Sequence, residues 1–343
     1  MSRKILIVDD KAVNLSLLEA ILVPRGFEVS SASNGEQALE LAIDFQPDAL
    51  LLDVMMPEMD GYEVCRRLRK LEHKSYVPVI FVTASEFGEE DMLKGFEAGG
   101  DDYVCKPLDV PVLLARVEAC LRVKSLHENL TQIKAELSHY VSSSTMQMVE
   151  SRVAGHAESG NRRTDVTVLF SDIRQFTHRT EQLDPEIVFE ILNVTLGYQI
   201  EIIEKHGGVI DKLNGDEVMA VFEGDEMADC AIACASDIIR QFPEVQRRCE
   251  FDLPSVGIGI NSGPVFRGSL GRGTFSDYTV IGATVNIAAR LCGQATLSQV
   301  LVSDMTRQAI AGNSPTMQSV GFRDLKGLSE PLELFELVLG DCH

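Results

Sequence analysis

Residues 207–222 read GGVIDKLNGDEVMAVF, and together with residues 170–177, FSDIRQFT, they decide how the rest of the chain is organised. Two apolar runs, VIDKL and EVMAVF, flank Asn214-Gly215, a dipeptide that tolerates the backbone angles of a tight hairpin turn. That spacing puts Asp216 at the hairpin tip, where a carboxylate can face a ligand instead of a core. Upstream, VTVLF reads as a buried strand whose exit delivers Asp172. Two carboxylates at neighbouring strand ends suit a pair of divalent ions holding a triphosphate, because hard cations take oxygen ligands. Aspartate is also common in turns, so spacing alone leaves both readings open.

The bulk numbers bound the classes. A chain of 343 residues predicts about two domains, each able to bury a core. Its 45% hydrophobic and 24% charged residues are those of ordinary globular protein. A formal net charge of -21 argues against broad contact with nucleic acid or a membrane surface, so a nucleotide would need a local basic pocket. No apolar run approaches the roughly 20 residues that span a bilayer. The start, MSRKILIVDD, enters a strand pattern without a signal-peptide layout. The eight cysteines form no CxxC pair or disulfide-like framework, and Cys230 and Cys234 read as core, so a cytoplasmic location is expected.

Residues 1–122 alternate strand and helix. KILIVD, FEVSSAS, ALLLD, VPVIFVTA and DDYVCKP are strand patterns, and the first is followed by a helical pattern over Ala12–Leu22 that stops at Pro24-Arg25-Gly26. Five short strands, each followed by a helix, predict an α/β domain with a doubly wound parallel sheet. Ligand chemistry in such sheets gathers at the carboxyl ends of the strands, where Asp9, Asp10, Asp53, Thr83 and Lys106 fall. Three carboxylates there repel unless a cation sits among them, which implies magnesium. A lysine and a hydroxyl beside them can bind an added phosphoryl oxygen. With DVMMPEMDGYE after the third strand and KP after the fifth, the segment resembles the response-regulator receiver family over its whole length. The resemblance implies that Asp53 is the phospho-acceptor, with a histidine kinase or phosphotransfer protein as donor. It makes Asp9 and Asp10 metal ligands, Thr83 and Lys106 sensors of the phosphate, Tyr103 an aromatic switch and Lys106-Pro107 a cis peptide.

Residues 123–163 read as a connector. Leu126, Leu130, Ile133 and Leu137 form an apolar stripe on a helix rich in Lys, Glu and Gln. The stripe either pairs with its copy in a short coiled coil or lies on one of the domains. HYVSSSTMQMVE and AGHAESGNRR lose periodicity, and the second reads as a loop.

Residues 164–343 give a strand, a long helix over Pro185–Lys205, the hairpin, a helix over 227–242 and the strand SVGIGINSG. A strand pair, PVFRGSL and SDYTVIG, then leads to a helix from about Ala283 and to last strands ending in LELFEL. Consecutive strands predict a mixed α+β sheet with helices on one face. Asn193, Thr195, Gly197 and Tyr198 interrupt the long helix with no reason visible in the sequence. In TVIGATVNIAARL, Asn286 and Arg290 lie four apart on one helical face, amid small apolar residues, as if placed for an anionic ligand.

FSDIRQFT, KLNGDEVMAVF, DYTVIGATVNIAARL and the late LKG together resemble the class III nucleotide cyclase catalytic domain, related to adenylate and guanylate cyclases. The resemblance implies a ferredoxin-like α+β fold acting as a homodimer, with two divalent ions, Mg2+ or Mn2+, at each site. Asp172, Asp216 and the backbone of Ile173 would bind the metals. Lys212 and Thr279 fall at the base-reading positions, with Asn286 on the ribose, Arg290 on the α-phosphate and Lys326 on the terminal phosphates. Arg272, displaced towards the turn from where many relatives carry an arginine, is a pyrophosphate ligand by the same comparison. A lysine with threonine there implies ATP: lysine can donate to an adenine ring nitrogen, whereas guanine presents a donor at that atom. The rivals are a guanylate cyclase, disfavoured by Lys212 and Thr279, and a diguanylate cyclase, which leaves VNIAAR without a purpose. A non-catalytic binding module is the third, although every expected site residue is kept.

Overall fold

The computed structural model describes residues 2–71, 76–83, 89–138, 140–155, 161–176, 178, 181, 183–248, 254–272, 275–312, 316–325 and 330–339. The chain divides into two compact units, Met1–Leu137 and Ser138–His343.

In the first unit β1 (Lys4–Val8), β2 (Glu28–Ala32), β3 (Ala49–Asp53), β4 (Val79–Thr83) and β5 (Asp102–Cys105) form one parallel sheet in the order β2-β1-β3-β4-β5. Every residue of β3 and β4 is buried, as a strand covered on both faces requires. Alternation sends Leu50, Leu52 and Phe81 towards α2 (Gly35–Asp44) and α3 (Gly61–Lys70). Leu51, Ile80 and Val82 pack instead on α1 (Ala12–Leu22) and α5 (Val110–Leu137). Asn34 and Asp60 cap α2 and α3 by accepting from the backbone N–H of Gln37 and Glu63. A fourth helix, α4 (Glu89–Glu97), precedes β5. The doubly wound expectation holds.

The helix α5 runs unbroken through the expected boundary at 122. Its buried side ends at Lys124, whose ammonium bonds Asp48 at 2.9 Å and the carbonyl of Pro47 at 3.2 Å. Beyond that anchor Leu126, Leu130, Ile133 and Leu137 are all exposed.

The second unit opens with α6 (Ser143–Val153), where the sequence offers no period. Ser142 supplies the missing start signal, its hydroxyl accepting from the N–H of Thr145. The mixed sheet that follows contains β6 (Arg162–Ile173), β7 (Val209–Asn214), β8 (Glu217–Phe222), β9 (Val256–Arg272), β11 (Val300–Ser303), β12 (Met317–Arg323) and β13 (Leu332–Leu337), ordered β12-β13-β11-β9-β6-β8-β7, with β10 (Phe275–Ile281) alongside β9. The strands expected separately as SVGIGINSG and PVFRGSL are one. The twelve residues of β6 pair along β9, from Ile173 opposite Val256 to Arg162 opposite Arg267, and hold it straight. Its first half also pairs with β11 and its second with β10.

Helices cover both faces of this sheet, not one. Leu169, Ile173, Ala220 and Ile258 pack on α7 (Pro185–Lys205) and α8 (Met227–Arg248). Val168, Phe170, Val221 and Val280 pack on α9 (Ala283–Gln294). The signal for that second layer was the small inward set of α9, Thr284, Ala288 and Cys292. Small residues let the helix sit so close that a Cβ on Gly259 would lie 2.0 Å from the Cys292 nitrogen. The helix α8 continues past Pro243, where the sequence predicted its end. The long helix α7 is also unbroken, with Thr195 and Gln199 buried and Asn193 exposed. Gln199 accepts from the Ser171 hydroxyl at 2.6 Å and donates to the Thr195 carbonyl at 2.8 Å. A short helix, α10 (Asp304–Ala309), precedes β12.

Gly259→Ala should therefore push α9 off the sheet and cost about 1–3 kcal/mol or more. The urea midpoint of the cyclase unit measures this; an unchanged midpoint would contradict the packing described.

Candidate functional site

Three carboxylates meet at the carboxyl ends of the first sheet. Ligand atoms of Asp9, Asp10 and Asp53 lie within 4.8 Å of one another. The Lys106 ammonium reaches over them, 2.8 Å from Asp9 Oδ2 and 2.5 Å from Asp53 Oδ1. Burial raises the Asp53 carboxyl above its usual range, with Lys106 pulling it back and the charges of Asp9 and Asp10 adding to the rise. Burial works against the Lys106 charge, yet the hydrogen bonds to Asp53 and Asp9 leave its pKa raised. Among the described residues, Asp10 Oδ1 and Thr83 Oγ1 are buried without a hydrogen-bond partner. An orphaned carboxylate oxygen beside two further carboxylates fits a hard divalent cation. The orphaned Thr83 hydroxyl is what an added phosphoryl oxygen would meet. Tyr103 is half-buried, edge-on to Phe96 and under the Arg116 guanidinium, and Lys106-Pro107 is cis.

In the second unit Asp172 lies one residue from the end of β6, paired in register with Glu217. Asp216 occupies the hairpin tip, as expected, but the turn is displaced by one residue. Asn214 pairs with Glu217, so Gly215 and Asp216 form the two-residue loop, with Gly215 at φ 68°. Asp216 on the turn is close enough to Asp172 for its charge to be felt there. Burial pushes the Asp172 carboxyl up to about 6; Arg174 opposes the rise, and Asp216 and Glu217 add to it. Arg174 binds Asp172 Oδ2 at 3.1 Å and the Cys292 carbonyl at 3.0 Å. Paired carboxylates whose ionisation is this unfavourable fit the binding of divalent cations.

Lys212 and Thr279 come together on adjoining edges. The Lys212 ammonium lies 2.6 Å from Asp277 Oδ2, and the Thr279 hydroxyl donates to Asp211 Oδ2 at 2.6 Å. Asn286 and Arg290 stand on the side of α9 away from its buried residues. Among the described residues neither bonds to Asp172 or Asp216 of its own chain. Lys326 and the Arg272 side chain lie outside the described residues. Sequence reasoning missed Arg174, Asp211, Asp277 and Glu217. Each lies within two positions of a residue it did single out, but charged neighbours of a motif carry no signal of direction.

A five-stranded parallel domain with an acidic pocket, followed by a mixed sheet with paired aspartates at a hairpin, defines a receiver joined to a cyclase catalytic domain. Residues 159–338 match the Adenylate and Guanylate cyclase catalytic domain family, and the chain belongs to it. Residues 5–118 match the Response regulator receiver domain. The first unit is similar to the response regulator PleD of Caulobacter vibrioides, 44% identical over 135 residues, which are 39% of this chain and 30% of that protein. The second is similar to the adenylyl cyclase CyaB from P. aeruginosa, with 32% identity and a TM-score of 0.50 over 53% of this chain and 97% of that one. The guanylyl cyclase Cya2 aligns with 31% identity and a TM-score of 0.48 over 52% and 93%. The chain thus spans under a third of the length of PleD. Among the described residues no helix is long and apolar enough to cross a membrane.

The raised pKa gives a sign. A folded carboxyl near 6, against 3.8 ordinarily, keeps its proton where the unfolded chain has lost it, so stability falls as pH rises through that window. In EDTA, the Tm of Asp172→Asn relative to wild type should climb between pH 4 and about 6. At pH 7 added Mn2+ should raise the melting temperature of the second unit in wild type and leave that of the same unit in the variant nearly unmoved. A flat difference with pH would contradict the assigned burial and repulsion.

Proposed function

We propose that the chain is a phosphorylation-regulated adenylate cyclase that converts ATP to 3′,5′-cyclic AMP and pyrophosphate at a homodimer interface. The juxtaposition of Asp172 and Asp216 carries the reading: a carboxylate near a strand end and another on a hairpin turn are held near each other at a cost that a nucleotide's metal ions would remove. These residues and the Ile173 carbonyl would hold two divalent ions, Mg2+ or Mn2+, which when bound acidify the ribose hydroxyl and neutralise developing phosphate charge. Lys212 and Thr279 orient the adenine and Asn286 the ribose, so that the 3′-oxygen faces the α-phosphorus in line with the leaving pyrophosphate. Arg290 stabilises charge on the α-phosphate, while Lys326 and Arg272 hold the phosphates that leave. Asn286 and Arg290, placed on the outer side of α9 and unbonded to their own aspartates among the described residues, support a site completed by the second copy, two per dimer.

The receiver supplies control. A histidine kinase or phosphotransfer protein would phosphorylate Asp53, adding about -1.5 to -2 charge units beside Asp9, Asp10 and Mg2+. Lys106, the Thr83 hydroxyl and Tyr103 are the groups that respond. Guanylate cyclase is the second reading; Lys212, donor-only, disfavours it.

Asp172→Ala and Arg290→Ala should each fall at least about 100-fold in rate. Mixed, they should regain a substantial fraction of wild-type activity through one intact composite site. Heterodimers that form without regaining activity would refute the shared site. Beryllofluoride, a phosphate mimic, should change the cyclase rate or the dimer fraction of wild type and leave Asp53→Asn unaffected. An identical response from both proteins would remove Asp53 from the control.

A further inference from the structure

The strand β7 contains an irregularity that the roles given so far do not use. Ile210 pairs with Ala220 and Lys212 with Met219, so Asp211 is an extra residue without a partner on β8. In a regular strand neighbours 211 and 212 would point to opposite faces. The bulge turns both towards β10, where Asp211 meets Thr279 and Lys212 meets Asp277, two residues that share a face. Thr279 is all but buried, at 3% exposure, and its hydroxyl is much closer to Asp211, at 2.6 Å, than to the Val280 carbonyl at 3.5 Å.

We propose that Asp211 is a specificity-determining positioning residue, which takes the proton of the Thr279 hydroxyl and so leaves its oxygen able only to accept from the base. A hydroxyl has one proton and two lone pairs, and the bond to Asp211 commits the proton. Lys212, held by Asp277, can only donate. The pair therefore presents a donor beside an acceptor. Adenine answers with a ring-nitrogen acceptor and a 6-amino donor, whereas a 6-oxo purine offers a ring N–H and a carbonyl, the reverse pattern. With Asp211 in place, a 6-oxo purine leaves two oxygens facing each other without a proton between them. Without it, the hydroxyl can rotate and donate to either base. The inference rests on the reading that Lys212 and Thr279 meet the base, and the test separates the two.

The probes are ATP and ITP, whose bases differ at the 6-position and the adjoining ring nitrogen, with kcat/KM measured for each. Asp211→Ala should lower the ATP/ITP ratio about 10- to 100-fold, a fraction of the discrimination that buried hydrogen-bonding sites reach. Asp211→Asn retains an acceptor oxygen and should keep most of the wild-type ratio. Asp211→Leu, similar in volume without an acceptor, carries the alanine expectation should that variant be unstable. In a Thr279→Val background, Asp211→Ala should change the ratio less than twofold. A role only in holding the bulge would lower both substrates equally in every background, and that result overturns the inference. If Thr279→Val shifts the ratio but Asp211→Ala and Asp211→Leu do not, the inference fails while base reading stands. If Thr279→Val leaves the ratio unchanged, base reading fails and the inference with it.

Discussion

Asp172 and Asp216 arrive from different places, one at the end of β6 and the other on the turn between β7 and β8, and among the described residues Arg174 is the cation bonded to Asp172. Two carboxylates so placed resist joint ionisation, and burial sharpens the conflict because fewer waters share the charge. The cyclase unit is built to hold that conflict in place. Twelve registered pairs tie β6 to β9, and Arg174 fastens the Asp172 backbone and side chain to the last turn of α9. A similar crowding occurs in the receiver, where Lys106 is the internal cation and one oxygen of Asp10 is left without a partner. In each unit the fold accepts electrostatic cost at strand ends, where loops let an ion or a phosphoryl group approach.

Much of this was legible because it depends on local pattern. Apolar runs as pure as ALLLD and VIFVT read as strands covered on both faces, so the parallel character of the first sheet and its acidic edge follow from reading along the chain. The hairpin at Gly215 announces itself through its turn residues, although a one-residue displacement of the turn was invisible, since Asn214 and Gly215 are both good turn formers. What pattern could not supply was pairing between distant segments. Whether GINSG ends a strand depends on β6, ninety residues earlier, lying against its whole length. The second helical layer depends on how closely α9 can approach Gly259, which only the three-dimensional packing reveals. Thr195 looked like an interruption of the long helix because a polar residue buried against the sheet, like Gln199 one turn on, has no visible role until helix and sheet are brought together.

The base-reading edge illustrates how a small backbone irregularity sets chemistry. A single extra residue in β7 places an acid and a base side by side on one face, where Asp211 accepts the proton of Thr279 and Asp277 holds Lys212 in position. Arg290 and Asn286, by contrast, stand on the outer side of their helix, with no bond to Asp172 or Asp216 of their own chain among the described residues. The continuous helix α5, fixed by the buried Lys124 and carrying an exposed apolar stripe beyond it, is a rigid element on which a change in the receiver can act.

The most direct measurement is product identification. The purified chain, given equimolar ATP and GTP with Mn2+, should release 3′,5′-cyclic AMP and pyrophosphate in equal amounts, with little cyclic GMP. Cyclic GMP as the main product would contradict the assignment of the base-reading edge. The absence of any cyclic nucleotide from protein shown to be folded and dimeric would contradict the account of Asp172 and Asp216.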